Sequence, residues 1–98
     1  MYTIVIKPIM DGRDYPTAGK VLYRLIQDKV GQTDKIVLDL TGVTMLPSMF
    51  MNVSIGKFIE DYGMDRLKSI LAFRNITRVQ ANRLREYLDR YNEPVLQA

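Results

Sequence analysis

The apolar and polar positions of the chain fall into blocks that predict three short strands. Tyr2–Ile6 is apolar and β-branched and ends just before Pro8, which predicts an edge strand. Ile36–Leu40 is a continuous apolar run interrupted only by Asp39, and this pattern is typical of a central parallel strand covered on both faces. The third predicted strand is Ser69–Phe73.

A first helix is predicted between the first two strands. A turn-rich segment leads to Pro16, which suits the first turn of a helix, and Gly31 ends the pattern. Apolar residues recur three and four positions apart, which places them on one helical face. These residues are Ala18, Val21, Leu22, Leu25, Ile26 and Val30, whereas Lys20, Arg24, Gln27 and Asp28 fall mostly on the opposite face.

A second helix is predicted from Pro47 or Ser48 to Tyr62, with Gly63 as a left-handed C-terminal cap. Its apolar sector is wider than that of a surface helix, so we expect this helix to be the most buried. The sector consists of Phe50, Val53, Ile55, Phe58, Ile59 and Tyr62.

The last predicted helix begins with Thr77 and Gln80, which have the spacing of a capping box, and it ends near Tyr91. Its predicted inward stripe consists of Val79, Leu84, Leu88 and Tyr91. Asn92–Pro94 should break the helix before a short apolar tail.

The element order β-α-β-α-β-α predicts an α/β fold with a mostly parallel sheet and right-handed crossovers, and it allows an antiparallel edge strand. The 98 residues, 47% of them apolar, predict a single domain over residues 1–98 with one hydrophobic core.

Composition narrows the range of functions. The chain contains neither cysteine nor histidine, which removes thiolate chemistry, the usual neutral-pH proton shuttle and the commonest metal ligand. Phosphate-loop, dinucleotide and zinc patterns are also absent, so we expect no cofactor, no metal and no enzymatic activity. No apolar run is long enough to span a bilayer, and the N-terminus lacks a secretory signal, so a cytoplasmic protein without a membrane segment is expected.

Asp39 is the first candidate for chemistry. A carboxylate near the C-terminal end of a central strand lies where α/β folds commonly place phosphoryl or metal chemistry. The structural interpretation is an acceptor for turn amides or for the N-terminus of the next helix, and this interpretation is favoured because the neighbouring strands supply no further acidic ligands.

Ser48 is the second candidate, because a hydroxyl at a helix start is a site where a phosphate would be stabilised by the helix dipole. The alternative is ordinary capping of free helix amides. Met45, Met49 and Met51 crowd the same helix start, where thioethers either adapt to partners or fill the core.

The net charge of +3 is concentrated in the last third of the chain, which allows a nucleic-acid-binding surface. The residues concerned are Lys68, Arg74, Arg78, Arg83, Arg85 and Arg90. The alternative is a solvated helix with ion pairs four residues apart, Arg85 with Asp89 and Glu86 with Arg90, and it is favoured over nucleic-acid binding.

The segment Ile36-Val-Leu-Asp-Leu-Thr-Gly-Val-Thr-Met-Leu-Pro-Ser-Met-Phe50 resembles the central segment of the STAS domain of anti-sigma factor antagonists. It is more similar still to the bacterial STAS-like domains of unknown function. The similarity continues through Ile55-Gly56, Leu71–Asn75 and the last helix.

This resemblance implies a non-catalytic regulatory domain that switches protein partners. The implied partner is a serine kinase of the histidine-kinase-like ATPase type, which phosphorylates the helix start and thereby releases the domain. In an ungapped alignment the acceptor falls on Met49, and a shift of one residue places it on Ser48. A homodimer is compatible with this interpretation. The predicted interaction surface consists of Asp39, Thr41, Gly42, Thr44, Pro47, Ser48, Met49, Met51 and Asn52.

Overall fold

The computed structural model describes residues 1–92, and in this part of the chain three short strands form one parallel sheet. The strands are β1 (Tyr2–Val5), β2 (Ile36–Asp39) and β3 (Leu71–Arg74), in the order β1-β2-β3. The alternating α/β architecture, the central position of β2 and the edge position of β1 are as predicted. Both strand pairs are parallel, so the antiparallel edge strand that the pattern allowed does not occur within residues 1–92.

The helices alternate with the strands and are more fragmented than predicted. They are α1 (Lys7–Met10), α2 (Tyr15–Lys29), α3 (Ser48–Asn52), α4 (Ile55–Tyr62), α5 (Met64–Ile70) and α6 (Arg78–Asn92). Helix α2 begins as expected, because the Asp14 carboxylate accepts a hydrogen bond from the Thr17 amide at 2.8 Å and Pro16 occupies the first turn.

Two short helices, α1 and α5, were not predicted. Pro8 does not simply end the first strand, because it lies in the first turn of α1, where a missing amide hydrogen costs nothing. Gly63 ends α4 with a positive φ of 94°, but its ψ of 157° is extended rather than left-handed helical, and α5 follows at once. The third strand therefore begins at Leu71, because Ser69 and Ile70 belong to α5.

The long central helix that the sequence predicts is divided at Val53 and Ser54. The buried Ser54 hydroxyl donates to the Phe50 carbonyl at 2.7 Å, and the Ser54 backbone leaves helical geometry with φ −120° and ψ −79°. Such a local side-chain bond competes with the helical ladder. The expected burial is nevertheless confirmed, because Phe50 and Phe58 are the largest fully buried side chains.

The hydrophobic core lies against one face of the sheet. The residues that share a face in register, Ile4, Leu38 and Phe73, pack with the helices into one cluster. The alternating position Val37 is 5% exposed yet does not belong to that cluster, and neither does Ala72. Ile36, Val37 and Leu38 are all buried, so the predicted burial of the central strand on both faces is confirmed, although Thr3, the register partner of Val37 on β1, is exposed.

Helix α6 begins with the predicted capping box. The Gln80 amide donates to the Thr77 hydroxyl at 3.1 Å, and the Thr77 amide donates to the Gln80 side chain at 3.0 Å. Its inward face differs from the prediction, because Val79 is 76% exposed whereas Gln80 and Tyr87 are buried beside Leu84. The predicted break at Asn92–Pro94 and the apolar tail extend beyond the described residues.

Over residues 1–92, no helix has both the length and the apolar content needed to cross a bilayer.

Candidate functional site

The candidate site is the loop that leaves the carboxyl end of β2. We call residues 40–47 the site loop. Asp39, the last residue of β2, directly precedes it, and the Asp39 Oδ1 atom accepts hydrogen bonds from the Thr41 amide at 3.0 Å, the Thr41 hydroxyl at 2.7 Å and the Asn75 side-chain amide at 3.0 Å. Gly42 then turns the chain with a φ of 80°.

These hydrogen bonds determine the charge state of Asp39. The side chains of Asn75 and Thr41 and the Thr41 amide stabilise the carboxylate and lower the pKa of Asp39 from 3.8 to about 2. Asp39 is therefore ionised at neutral pH and acts as the acceptor for turn amides that the structural interpretation predicted. Asn75 was not predicted to contribute, although an Asn directly after a strand is a turn signal, and here it takes a φ of 58°.

The surroundings of Asp39 differ from those of a metal-assisted phosphoryl site. Such a site needs several acidic ligands, and residues 1–92 contain no group of three His, Cys, Asp or Glu side chains that could hold a metal ion. The neighbours of the carboxylate are a hydroxyl, an amide side chain and the cationic Arg74. The geometry thus offers no support for the alternative that placed phosphoryl or metal chemistry at this residue.

Helix α6 holds the site loop and α3 through three side chains on one of its faces. The Gln80 side-chain amide donates to the Val43 carbonyl, Arg83 Nε donates to the Leu46 carbonyl at 2.7 Å, and the Tyr87 hydroxyl donates to Asn52 Oδ1 at 2.8 Å. We call Gln80, Arg83 and Tyr87 the α6 seam.

The α6 seam was not predicted as a unit, and Arg83 was predicted only as a surface cation. In the sequence the seam corresponds to polar residues three and four positions apart, which lie on one helical face beside the apolar residues. These polar residues are visible in the sequence, but their acceptors are not, because most of the acceptors are backbone carbonyls of a loop about 35 residues away.

Ser48 is the first residue of α3 and is partly exposed. Its hydroxyl does not cap the helix, because the N-cap position is Pro47 and no side-chain cap bond forms. Instead Ser48 Oγ accepts a hydrogen bond from Arg83 Nη2 at 3.1 Å. The capping interpretation of Ser48 was therefore wrong, and the hydroxyl lies beside a guanidinium group that is already fixed to the site loop.

Most of the predicted interaction surface is accessible, with one exception. Met51 is only 1% exposed, because it points from α3 into the core, so its assignment to a surface was wrong. By contrast, Met45 is 57% exposed and Met49 is 58% exposed. The exposed members are Thr41, Gly42, Thr44, Met49 and Asn52, and the partly exposed members are Asp39, Pro47 and Ser48.

A small cleft of about 180 Å³ lies between the site loop and α1. Lys7 and Tyr15 line it together with Gly42–Met45, and Lys7 forms an ion pair of 2.9 Å with Asp11 across its rim. Gly42 lies directly against the aliphatic part of Lys7, where an added Cβ would stand 2.7 Å from Lys7 Cδ. The cleft thus borders the loop, and Lys7 forms a wall of the cleft next to Gly42.

The basic residues of the last third of the chain do not act as one group. All six residues are exposed, and Arg83 in addition donates to the site loop as part of the α6 seam; the other five are Lys68, Arg74, Arg78, Arg85 and Arg90. The two predicted ion pairs, Arg85 with Asp89 and Glu86 with Arg90, are not among the salt bridges that residues 1–92 form. Nucleic-acid binding through this helix stays a prediction.

Comparison with known families gives one match. A family model described as a STAS-like domain of unknown function (DUF4325) matches residues 18–81, well over half of the chain. The matched range covers α2, β2, the site loop and the helices that follow it, through β3 to the capping box of α6. No curated protein and no solved structure gives a significant match.

Proposed function

Because the chain belongs to the family of STAS-like domains of unknown function, we propose that it is a non-catalytic regulatory domain that binds protein partners through the site loop and the start of α3. The reducing cytoplasm suits a chain without cysteine, and we propose that it acts there.

The observation that carries this proposal is a fixed loop with exposed thioethers. Met45 and Met49 are each more than half exposed, whereas the backbone between them is bonded to Arg83 at Leu46. Large exposed apolar side chains on a held loop favour protein contact, because the loop loses little conformational entropy on binding.

The proposed regulation is phosphorylation of Ser48 by a serine kinase of the histidine-kinase-like ATPase type. A phosphate would add about −1.5 to −2 charges to the exposed surface. Arg83 Nη2 lies 3.1 Å from the hydroxyl that would carry it, so a charge-assisted pair would form within the domain. Partner release would then follow from the new charge and from the rearranged bonds of Arg83 to the loop.

Site-specific crosslinking tests the interaction surface. A photoreactive amino acid at position 49 should give a discrete protein adduct in cells, and the same amino acid at the exposed control position Asn82 should not. The adduct should disappear when Met45→Asp is added, because a charge at the loop opposes apolar contact. Equal adducts from both positions, or none from position 49, would contradict the proposal.

Mass spectrometry tests the phosphorylation. Incubation with ATP and the purified partner that the crosslink at position 49 captures should add one phosphate to the wild-type domain and none to Ser48→Ala. Phosphorylation of the Ser48→Ala variant would reject Ser48 as the acceptor. The interaction surface would still be tested separately by the crosslinking experiment.

A further inference from the structure

A cleft away from the site loop lies between α2 and the junction of α3 and α4. Its volume is about 530 Å³, and it shares only Asn52 with the proposed interaction surface. One wall is a stripe of α2 at spacings of three and four, and the other comes from α3, the junction and α4. The lining residues are Lys20, Tyr23, Arg24, Gln27, Asn52, Val53, Lys57 and Glu60.

The lining of the cleft is positively charged. Lys20 and Arg24 are exposed and form no ion pair within residues 1–92, and Lys57 has only a 3.6 Å pair with Asp61. Glu60 is the one acidic residue of the lining. A second depression of about 360 Å³ on α2 also contains Lys20 and Arg24, so these two cations lie between two concave surfaces.

The uncharged polar groups of the cleft add further donors. The Oδ1 atom of Asn52 is occupied by the Tyr87 hydroxyl, so the Asn52 side chain presents its amide hydrogens as donors. Gln27 supplies a second side-chain amide. A ligand that satisfies this lining must be rich in acceptors, and carboxylates and phosphates both meet that requirement.

The floor of the cleft is apolar and fixed. Tyr23 and Val53 are partly buried, and the Tyr23 hydroxyl donates a hydrogen bond to the Asp61 carboxylate. Burial and this bond raise the pKa of Tyr23, which keeps the hydroxyl protonated. Val53 is fixed against Gly19 of α2, where a Cβ atom would clash with it.

We infer that this cleft binds an acidic amphipathic helix of a partner protein, with carboxylates at Lys20 and Arg24 and an apolar side chain on Tyr23 and Val53. The stripe from Lys20 to Gln27 is about 10 Å long, which is two helical turns and matches one face of a docked helix. This inference deepens the proposed function and rests on it, since it names the chemistry of the partner beside the site loop.

The acidic residues around the cleft favour a peptide over a nucleic acid. Glu60 lines one wall, and Asp28 lies in the adjoining depression. A continuous row of phosphates would be repelled by the carboxylates of Glu60 and Asp28. A helix with spaced Glu residues can place an uncharged residue opposite each of these carboxylates.

An NMR titration of the ¹⁵N-labelled domain tests the inference. The probe is a helical peptide of about 12 residues, with Glu at helical spacing among Leu and Ala, and the control peptide has Gln in place of Glu. The Glu peptide should bind saturably and shift the amides of Lys20, Arg24, Val53 and Lys57. The Gln peptide should bind at least about tenfold more weakly, because Gln carries no charge to pair with Lys20 and Arg24. A tenfold change corresponds to about 1.4 kcal/mol.

Two double variants with equal charge change locate the binding. The double variant Lys20→Glu, Arg24→Glu should lower the affinity for the Glu peptide by at least about tenfold. The double variant Lys68→Glu, Arg85→Glu should leave this affinity unchanged. Equal loss in both variants, no saturable shift, or tighter binding of a single-stranded oligonucleotide at the same amides would each overturn the inference.

The crosslink at position 49 separates this inference from the proposed function. If the Lys20→Glu, Arg24→Glu variant keeps the crosslink while the wild-type domain does not bind the peptide, only the acidic-helix inference fails. If the peptide binds as expected while position 49 gives no adduct, the site-loop proposal fails and the cleft remains.

Discussion

Asp39 fixes the start of the site loop through a single carboxylate oxygen. Three donors converge on that oxygen, two of them from Thr41 and one from Asn75 at the end of the neighbouring strand. The residue thus links the carboxyl ends of β2 and β3 as well as turning the chain. The carboxylate therefore has an anchoring role: it fixes the start of the loop, so that Met45 and Met49 are presented in a defined arrangement.

The lowered pKa of Asp39 predicts how its contribution to stability changes with pH. Its pKa is 3.8 in the unfolded chain and about 2 in the folded one, so its stabilising effect is fully present above pH 3.8 and is lost as pH falls through 2. In urea unfolding, Asp39→Asn should be less stable than wild type at pH 7, and the difference should shrink from pH 4 to pH 2. Asp28→Asn is the control, because its side chain is exposed on α2. A difference that stays constant over this pH range would contradict the anchor role.

Arg83 has two acceptors, and this predicts that lysine cannot replace it. Arg83→Ala should lower the free energy of unfolding by about 1–2 kcal/mol, because the Leu46 carbonyl and the Ser48 hydroxyl lose their donor. Arg83→Lys should recover only part of this loss, since an ammonium group lacks the planar fork of donors. Chemical denaturation and amide hydrogen exchange of residues 44–49 measure both effects. Arg85→Ala on the same helix should change neither, and an equal loss there would refute the seam.

At the scale of elements, the approach of α2 to α3 depends on Gly19. A Cβ at this position would lie 2.6 Å from the Phe50 carbonyl oxygen and would also strike Val53. The same close approach brings Tyr23 and Val53 together as the floor of the cleft proposed to bind an acidic helix. Helix packing and the candidate binding surface therefore have one common cause.

Gly19→Ala should destabilise the domain by about 1–3 kcal/mol, because the added methyl group forces the two helices apart. Gly31→Ala is the matched control, since nothing lies within 4 Å of its added Cβ, and it should be neutral or stabilising by about 0.4–1 kcal/mol. Thermal and chemical unfolding of the two variants measure the difference. Similar stabilities for both would show that α2 and α3 tolerate separation.

At the scale of the whole molecule, one core joins the sheet to the helices. Buried residues from α2, α3, α4, α5 and α6 belong to the same cluster as Ile4, Leu38 and Leu71. If residues 1–98 form a single domain, as predicted, the protein should unfold in a single transition.

Far-ultraviolet and near-ultraviolet circular dichroism should give coincident urea transitions, because the helices and the tyrosines that pack in or against the core depend on the same cluster. Tyr87 is a useful probe, since it is 5% exposed and joins α6 to Asn52. An earlier transition of the tyrosine signal would mean that the domain is not one cooperative unit.

Several features of the fold are visible in the sequence because they depend on residues close together in the chain. The Thr77–Gln80 capping box, the apolar face of α2 and the central strand Ile36–Leu40 follow from periodicity and from bonds within four residues. The break at Ser54 was missed although its bond to Phe50 is equally local, because a Ser within an apolar helical pattern does not show whether its hydroxyl bonds to the backbone or points outward.

Local sequence patterns were enough to predict the alternating α/β architecture, the family and the position of the candidate loop, since no distant contact reverses these patterns. The side chains that form the site depend instead on tertiary packing, which buried Met51, bonded Ser48 to Arg83 and brought Lys20 and Arg24 to a cleft beside Asn52. The physical reason is that these bonds and contacts join residues about 30 or more positions apart, whose partners are determined by the packing of whole helices on the sheet.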